Sequence, residues 1–343
     1  MRNRFRNGVL WSRFRPVMAL VLPDRWIWDF WLVAAGDLVH VFYLQAPRSL
    51  GDANLRHANS SIGHAVSADL VHWQPVADAL HPSPATAFDD FATWTGSVLR
   101  HDERWHLLYT AASHAEDGLV QRIGHAVSDD LMAWHRDRGP VLEAAPRWYA
   151  QLDRADWPDL AWRDPWLLAD PAGGGFHAYL TARAAGGGDR LGRGVVARAT
   201  SRDLVQWAAQ PPVTAPMGFG QMEVPQVLEA GGRWYLLFST DTGTQGEMRR
   251  AARTGTGTYY LIGDGPEGPF PARTLQRLEA DETGTTYAGK LFAWQGHLCF
   301  FAWHATAADG RFVGGIGDPV PVTVRADGRL ELPAAAARRT APG

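Results

Sequence analysis

One pattern occurs three times in this chain and constrains its fold more than any other feature. Residues 62–73 read IGHAVSADLVHW, residues 123–134 read IGHAVSDDLMAW, and residues 196–207 read VARATSRDLVQW. Each is an apolar alternation followed by Ser, a turn acid (Asp69, Asp130, Asp203), Leu and Trp (Trp73, Trp134, Trp207). Alternation with a period of two marks a half-buried strand. Like segments spaced 61 and 73 residues apart signify stacked units or propeller blades.

A second pattern precedes each copy and also recurs beyond the last one. LVAAGDLVHVFYL (32–44), GSVLRHDERWHLLYT (96–110), PWLLADPAGGGFHAYLTA (165–182), PQVLEAGGRWYLLFST (225–240) and KLFAWQGHLCFFAW (290–303) each read as two alternating strands around a turn. Helical stripes with caps are scarce. Five hairpins, each followed by outer strands, predict an all-β chain: a five-bladed β-propeller with a central funnel-shaped active site. A two-sheet sandwich fits four strands per repeat less well. The 36 Gly and 22 Pro suit many short strands and turns. No Ser/Gly or Pro linker splits the chain, so one catalytic domain is expected over 24–332, between an N-terminal arm at 1–23 and a flexible tail at 333–343.

The apolar fraction of 46% argues against disorder. A net charge of −3 gives no reason to expect nucleic acid as a partner. No apolar run reaches the 18 or so residues of a membrane helix, so no membrane partner is expected. The stretch Val17–Leu22, preceded by five Arg and no acid, is too short for a signal sequence and reads as a leader strand or arm laid on the fold; the expected location is cytoplasmic. The single Cys299 makes no internal disulfide and no Cys-based zinc site. His64 and His125 share a repeat position and read as blade structure. The Gly-rich stretch 186–194 lacks the helix and Lys of a phosphate loop. Neither a metal nor a cofactor is implied, and the oligomeric state stays open.

The innermost strand of each blade begins at the central funnel, so the residues heading each hairpin carry the chemistry. The five heads are Trp26–Trp31, Trp94–Ser97, Trp162–Trp166, Gln221–Pro225 and Thr286–Lys290. Three of them bring a carboxylate amid aromatic or apolar neighbours: Asp29, Asp164 and Glu223. Such acids are costly to desolvate unless paired or functional. Two carboxyls facing one bond are what glycoside hydrolysis requires. The apolar neighbours of Glu223 suit an acid that keeps its proton, whereas Arg163 beside Asp164 suits one held ionised. Trp28, Trp31 and Trp94 are candidates to stack on sugar rings, and His57, in a loop near the funnel, to touch substrate.

These heads and repeats resemble the five-bladed propeller glycoside hydrolases of families 32 and 68, the fructan and sucrose enzymes. GHAVSADLVHW at 63–73, WRDP at 162–165, QMEVP at 221–225, YLIGDGPEGPF at 260–270 and TYAGKLF at 286–292 are similar to family-32 segments. Trp28-Asp29-Phe30-Trp31 and Trp94-Thr95-Gly96-Ser97 are closer to family 68, and Val224 replaces the family-32 Cys. The chain ends too soon for the C-terminal β-sandwich of family 32. The resemblance implies Asp29 as nucleophile, Asp164 as transition-state stabiliser and Glu223 as acid/base. It also implies a sugar subsite lined by Trp94, Arg163, Tyr287 and Trp303, and Thr95, beside Trp94, is a further candidate to bind substrate.

The expected function is thus a retaining glycosidase acting on β-fructofuranosides such as sucrose, fructooligosaccharides, fructans or difructose anhydrides, with fructosyl transfer when a sugar replaces water. The expected partner is a small sugar or oligosaccharide. Arabinofuranoside cleavage and a non-catalytic carbohydrate-binding propeller are the alternatives.

Overall fold

The computed structural model describes residues 18–333; residues 1–17 of the expected arm and 334–343 of the expected tail lie outside the described residues. After a short strand β1 (Met18–Leu20), the chain forms four successive antiparallel blades. Blade 1 contains β2 (Arg25–Ala35), β3 (Leu38–Pro47), β4 (Ser61–Ser67) and β5 (Gln74–Pro75). Blade 2 contains β6 (Ala92–His101), β7 (Arg104–Ala112), β8 (Arg122–Ser128) and β9 (His135–Arg136). Blade 3 contains β10 (Trp162–Ala169), β11 (Phe176–Arg183), β12 (Gly194–Ser201) and β13 (Trp207–Gln210). Blade 4 contains β14 (Glu223–Ala230), β15 (Arg233–Thr240), β16 (Thr256–Gly263) and β17 (Gln276–Asp281). The turns at Asp102–Glu103, Gly231–Gly232 and Gln295–Gly296 have φ between 46° and 79° at both residues, the geometry that matches the twist of paired strands.

The fifth blade is made by both ends of the described chain. Its inner strands are β18 (Thr286–Trp294) and β19 (His297–His304); β20 (Ile316–Gly317) follows, and β1 is the outermost strand, with β21 (Val320–Pro321) also pairing with β19. The ring therefore takes in residues from before the boundary expected at 24. Blade 1 is tied to the same corner, where Gly315 N donates to Ile27 O (2.9 Å) and Arg48 Nη2 to Val313 O (3.3 Å).

The threefold repeat turns out to be a device for leaving strand three of a blade. In blade 1, Ser67 Oγ accepts from the N–H groups of Asp69 and Leu70, and Asp69 Oδ1 accepts from those of Val71 and His72. Leu70 adopts φ 67° and buries its side chain, and Trp73 Nε1 donates back to Leu70 O at 3.1 Å. Leu131 (φ 68°) with Trp134 and Leu204 (φ 64°) with Trp207 repeat the arrangement. A left-handed Leu is costly, and the side-chain acceptors on both sides hold it there. All three Trp are half-buried. Trp207 opens β13, whereas Trp73 and Trp134 lie one residue ahead of β5 and β9. His64 and His125 are buried on β4 and β8, each bonded to a histidine of the adjacent strand, His40 (2.8 Å) and His106 (3.0 Å).

Candidate active site

Each inner strand begins with the same irregularity. Pairing slips by one residue between Trp28 and Phe30, Trp94 and Gly96, Arg163 and Trp166, Glu223 and Gln226, and Tyr287 and Lys290. Asp29 (φ 26°), Asp164 (φ 58°), Val224 (φ 49°) and Ala288 (φ 49°) take left-handed backbone at the slip, and Thr95 occupies the matching place in blade 2. A bulge of this kind bends the strand and re-aims its side chains. Two layers result. An upper layer, nearer the strand starts, holds Trp28, Trp94, Arg163, Glu223 and Tyr287. A floor layer holds Asp29, Thr95, Asp164, Val224 and Ala288, all buried but Asp29. Asp29 and Asp164 are thus equivalent, while Glu223 stands one residue nearer the start of its strand.

Below the floor a third set of side chains ties blades together. Ser97 Oγ accepts from Leu167 N (2.8 Å), Trp166 Nε1 donates to Val227 O (2.9 Å), and the Gln226 amide bonds both backbone groups of Leu291. Buried Lys290 reaches back to blade 4, donating Nζ to the carbonyls of Val224 (2.8 Å) and Pro225 (3.1 Å). Trp31 belongs to this set. It is 1% exposed, stacks on Phe42 at 5.9 Å, and is absent from the cavity wall. Its expected contact with sugar is therefore corrected: by register Trp31 keeps the face of Trp28 but lies below Asp29, buried against Phe42.

The remaining expected residues converge on one open cavity of roughly 470 Å³: Trp28, Asp29, His57, Trp94 and Thr95 from blades 1 and 2, then Arg163, Asp164, Glu223, Tyr287 and Trp303. That volume suits a small ligand. Asp29 accepts from Thr95 Oγ1 and Trp303 Nε1, both at 2.9 Å. Burial first, then the charge of Asp164, push its carboxyl up to about 7. Asp164 Oδ2 accepts from Thr181 Oγ1 (2.7 Å) and Val224 N (3.1 Å), while Oδ1 takes no hydrogen bond from the described residues. Glu223 accepts from Arg163 Nη2 and Tyr287 Oη, both at 2.6 Å. Burial raises its pKa as well, with Arg163 opposing. His57 is exposed at the mouth; desolvation within the funnel, then the charges of Arg56 and Arg163, lower its pKa. The Trp94 indole N–H is bound to His57 O at 2.8 Å and fixes the loop above it.

Sequence reasoning missed several wall residues. Gln121 and Asp159 both bond Arg163 (3.0 and 3.4 Å), and Arg56, Asp241 and Phe312 line the same cavity. Asp159, four residues before Arg163, had a usable signal in its spacing to WRDP; the others come from loops without periodicity. Among the described residues, no group of three or more His, Cys, Asp or Glu is placed to hold a metal ion.

A propeller funnel with an aromatic wall and grouped carboxyls defines the class, a glycoside-hydrolase-type β-propeller. The model of the glycosyl hydrolases family 32 N-terminal domain matches residues 31–310, and the chain belongs to that family. The match includes Asp164 and Glu223 and begins two residues after Asp29. The chain is 28% identical over 279 residues to "Beta-fructofuranosidase, insoluble isoenzyme 7" of Oryza sativa subsp. japonica, and 27% over 270 residues to "Beta-fructofuranosidase, cell wall isozyme" of Zea mays. Each alignment covers 74% of this chain and 42% of the relative, so the chain spans well under half the length of these relatives. The fold is shared with the inulosucrase of Halalkalicoccus jeotgali bound to kestose (TM-score 0.73, 20% identity, 93% of this chain and 89% of that one). It is shared too with a GH32 beta-fructofuranosidase of Bombyx mori (TM-score 0.69, 19% identity, 93% and 65%).

Proposed function

We propose that this chain is a retaining glycosidase that cleaves β-fructofuranosides such as sucrose, fructooligosaccharides or fructans. The observation that carries this reading is the meeting of Asp29, Asp164 and Glu223 in one cavity, each held differently. Asp29 is the nucleophile. Its carboxylate attacks the anomeric carbon of the fructosyl unit as the bond to the leaving oxygen breaks, and Glu223 gives that oxygen its proton. Water then gives a proton to Glu223, attacks the same carbon and releases Asp29. A sugar hydroxyl in place of water gives transfer. Asp164 keeps an oxygen free to accept from fructosyl hydroxyls.

Arg163 and Tyr287 keep Glu223 in place, and Trp303 and Thr95 keep Asp29 in place. The productive form carries its proton on Glu223 and leaves Asp29 ionised. The test is release of monosaccharide from sucrose, inulin, levan, difructose anhydrides and aryl arabinofuranosides. Fructose from one of the first four supports the reading. Arabinose alone, or binding without release, overturns it.

A further inference from the structure

The funnel holds two arginines in opposite states. Arg163 is fully engaged with Gln121, Asp159 and Glu223. Arg56 makes one hydrogen bond, from Nη1 to Ala53 O at 2.9 Å; its Nε has no partner, and no acid lies within ion-pair distance among the described residues. Its guanidinium lies 4.2 Å from the centre of the Phe312 ring and 5.7 Å from that of Trp28. Phe312 in turn stands 5.5 Å from Trp303, whose indole holds Asp29. Arg56 lies in a short 3-10 helix (Ala53–Asn59) capped by Asp52, which accepts from Asn54 N (2.9 Å), and held by Trp94, which donates to His57 O.

We propose that Arg56 is a specificity-determining residue that binds the hydroxyls of the leaving sugar. This rests on the fructofuranosidase reading above. The anomeric carbon must sit over Asp29 in the floor, and Glu223, one layer higher, must reach the leaving oxygen. The departing sugar therefore extends from the upper layer towards the mouth. Arg56 flanks Trp28, a member of that upper layer, and enters from that short helix, outside both layers. A guanidinium laid on an aromatic ring keeps its edge N–H groups in a fixed plane, suited to two neighbouring hydroxyls. The wall carries Asp29, Asp159, Asp164, Glu223 and Asp241 against only Arg56 and Arg163. That balance favours a neutral sugar over a phosphorylated one.

The test compares Arg56→Met and Arg56→Lys with the wild type on sucrose and on p-nitrophenyl β-fructofuranoside, whose leaving group has no sugar hydroxyls. In Arg56→Met, kcat/KM on sucrose should fall about 10- to 100-fold, as expected for one or two lost hydrogen bonds from a charged donor, mainly through KM. The aryl substrate should change less than about threefold, and Arg56→Lys should recover part of the loss. Equal losses on both substrates, or none on sucrose, would overturn the assignment. So would a wild-type preference for sucrose 6-phosphate that Arg56→Met abolishes. A wild type that releases no fructose from these two substrates or from inulin, levan or difructose anhydrides removes the fructofuranosidase reading itself; an active wild type with an indifferent Arg56→Met removes only the role of Arg56.

Discussion

The outer and inner edges of the blades use the same strands under opposite rules. At the outer edge, three blades repeat one turn almost residue for residue. Its acids are satisfied there: the N–H groups of Ala133 and Met132 hold Asp130 below the usual carboxylate range, and those of Gln206 and Val205 do the same for Asp203. At the inner edge, five blades repeat one bulge but fill it with five different pairs of residues, and burial lifts Asp29 and Glu223 instead. Where the side chains repeat with the backbone, they serve the backbone. Where the backbone repeats and the side chains diverge, the blade is presenting chemistry, and the fold carries the cost of charges it does not fully solvate.

The largest test of that contrast is Asp29→Ala. Turnover of sucrose and of p-nitrophenyl β-fructofuranoside should both fall by about 10⁴-fold or more, and any rescue by azide on the aryl substrate should yield the fructosyl azide of inverted configuration. Retention of about a tenth of the activity would remove Asp29 from the nucleophile's role. Glu223→Ala should lose about 10²- to 10⁴-fold on sucrose but much less on the aryl substrate, whose leaving group needs little protonation. Azide should accelerate its second step. If the variant is equally dead on both substrates and azide does nothing, Glu223 is not the acid/base.

Smaller effects sharpen the comparison through stability. The folded-state pKa of Asp29 lies above its unfolded value, so its ionisation destabilises the fold. That penalty is absent below the unfolded pKa near 4, grows as pH rises towards 7 and is complete above it. Asp29→Asn should therefore stabilise the protein by about 2 kcal/mol at pH 8 and by nothing at pH 3, measured by urea unfolding at both values. An equal gain at both would show that charge is not the cause. Trp207→Ala should do the reverse, costing about 2 kcal/mol, less than a fully buried Trp would, with kcat/KM on sucrose held within about twofold. Lost turnover at an unchanged melting temperature would place Trp207 with the site instead of the turn.

The blade count is legible in the sequence because the turn motif and the hairpin alternation are local signals. The three acids are legible because each interrupts an apolar run. The bulge is not. Written as a plain alternation, Trp28 and Trp31 lie on opposite faces, and only the pairing of β2 with β3 reveals that Asp29 is inserted and that Trp31 keeps the face of Trp28, one layer deeper. The same insertion hides the offset of Glu223 from Asp29 and Asp164. Arg56 sits beside His57 in a short 3-10 helix, and nothing nearby tells it apart from Arg163, because their difference lies in distant partners such as Phe312 and Gln121. The place of β1 is equally hidden, since its partner β20 is two residues long and follows Gly314 and Gly315.

That last strand sets an order of events. Met18–Leu20 leave the ribosome before any blade, yet their partners Ile316 and Gly317 come almost at the end of the described chain. Blades 1 to 4 can each pair their own strands as they emerge, since every one is contiguous in sequence. The fifth cannot complete its sheet until Ile316 and Gly317 have emerged, and the β1 edge of the nascent ring waits unpaired until then. Loop closure over so long a span is slow, and an open sheet edge is an aggregation hazard while it lasts. Trp303 and Tyr287, which steady Asp29 and Glu223, belong to this fifth blade. The wall of the funnel is thus complete only once the ring has closed.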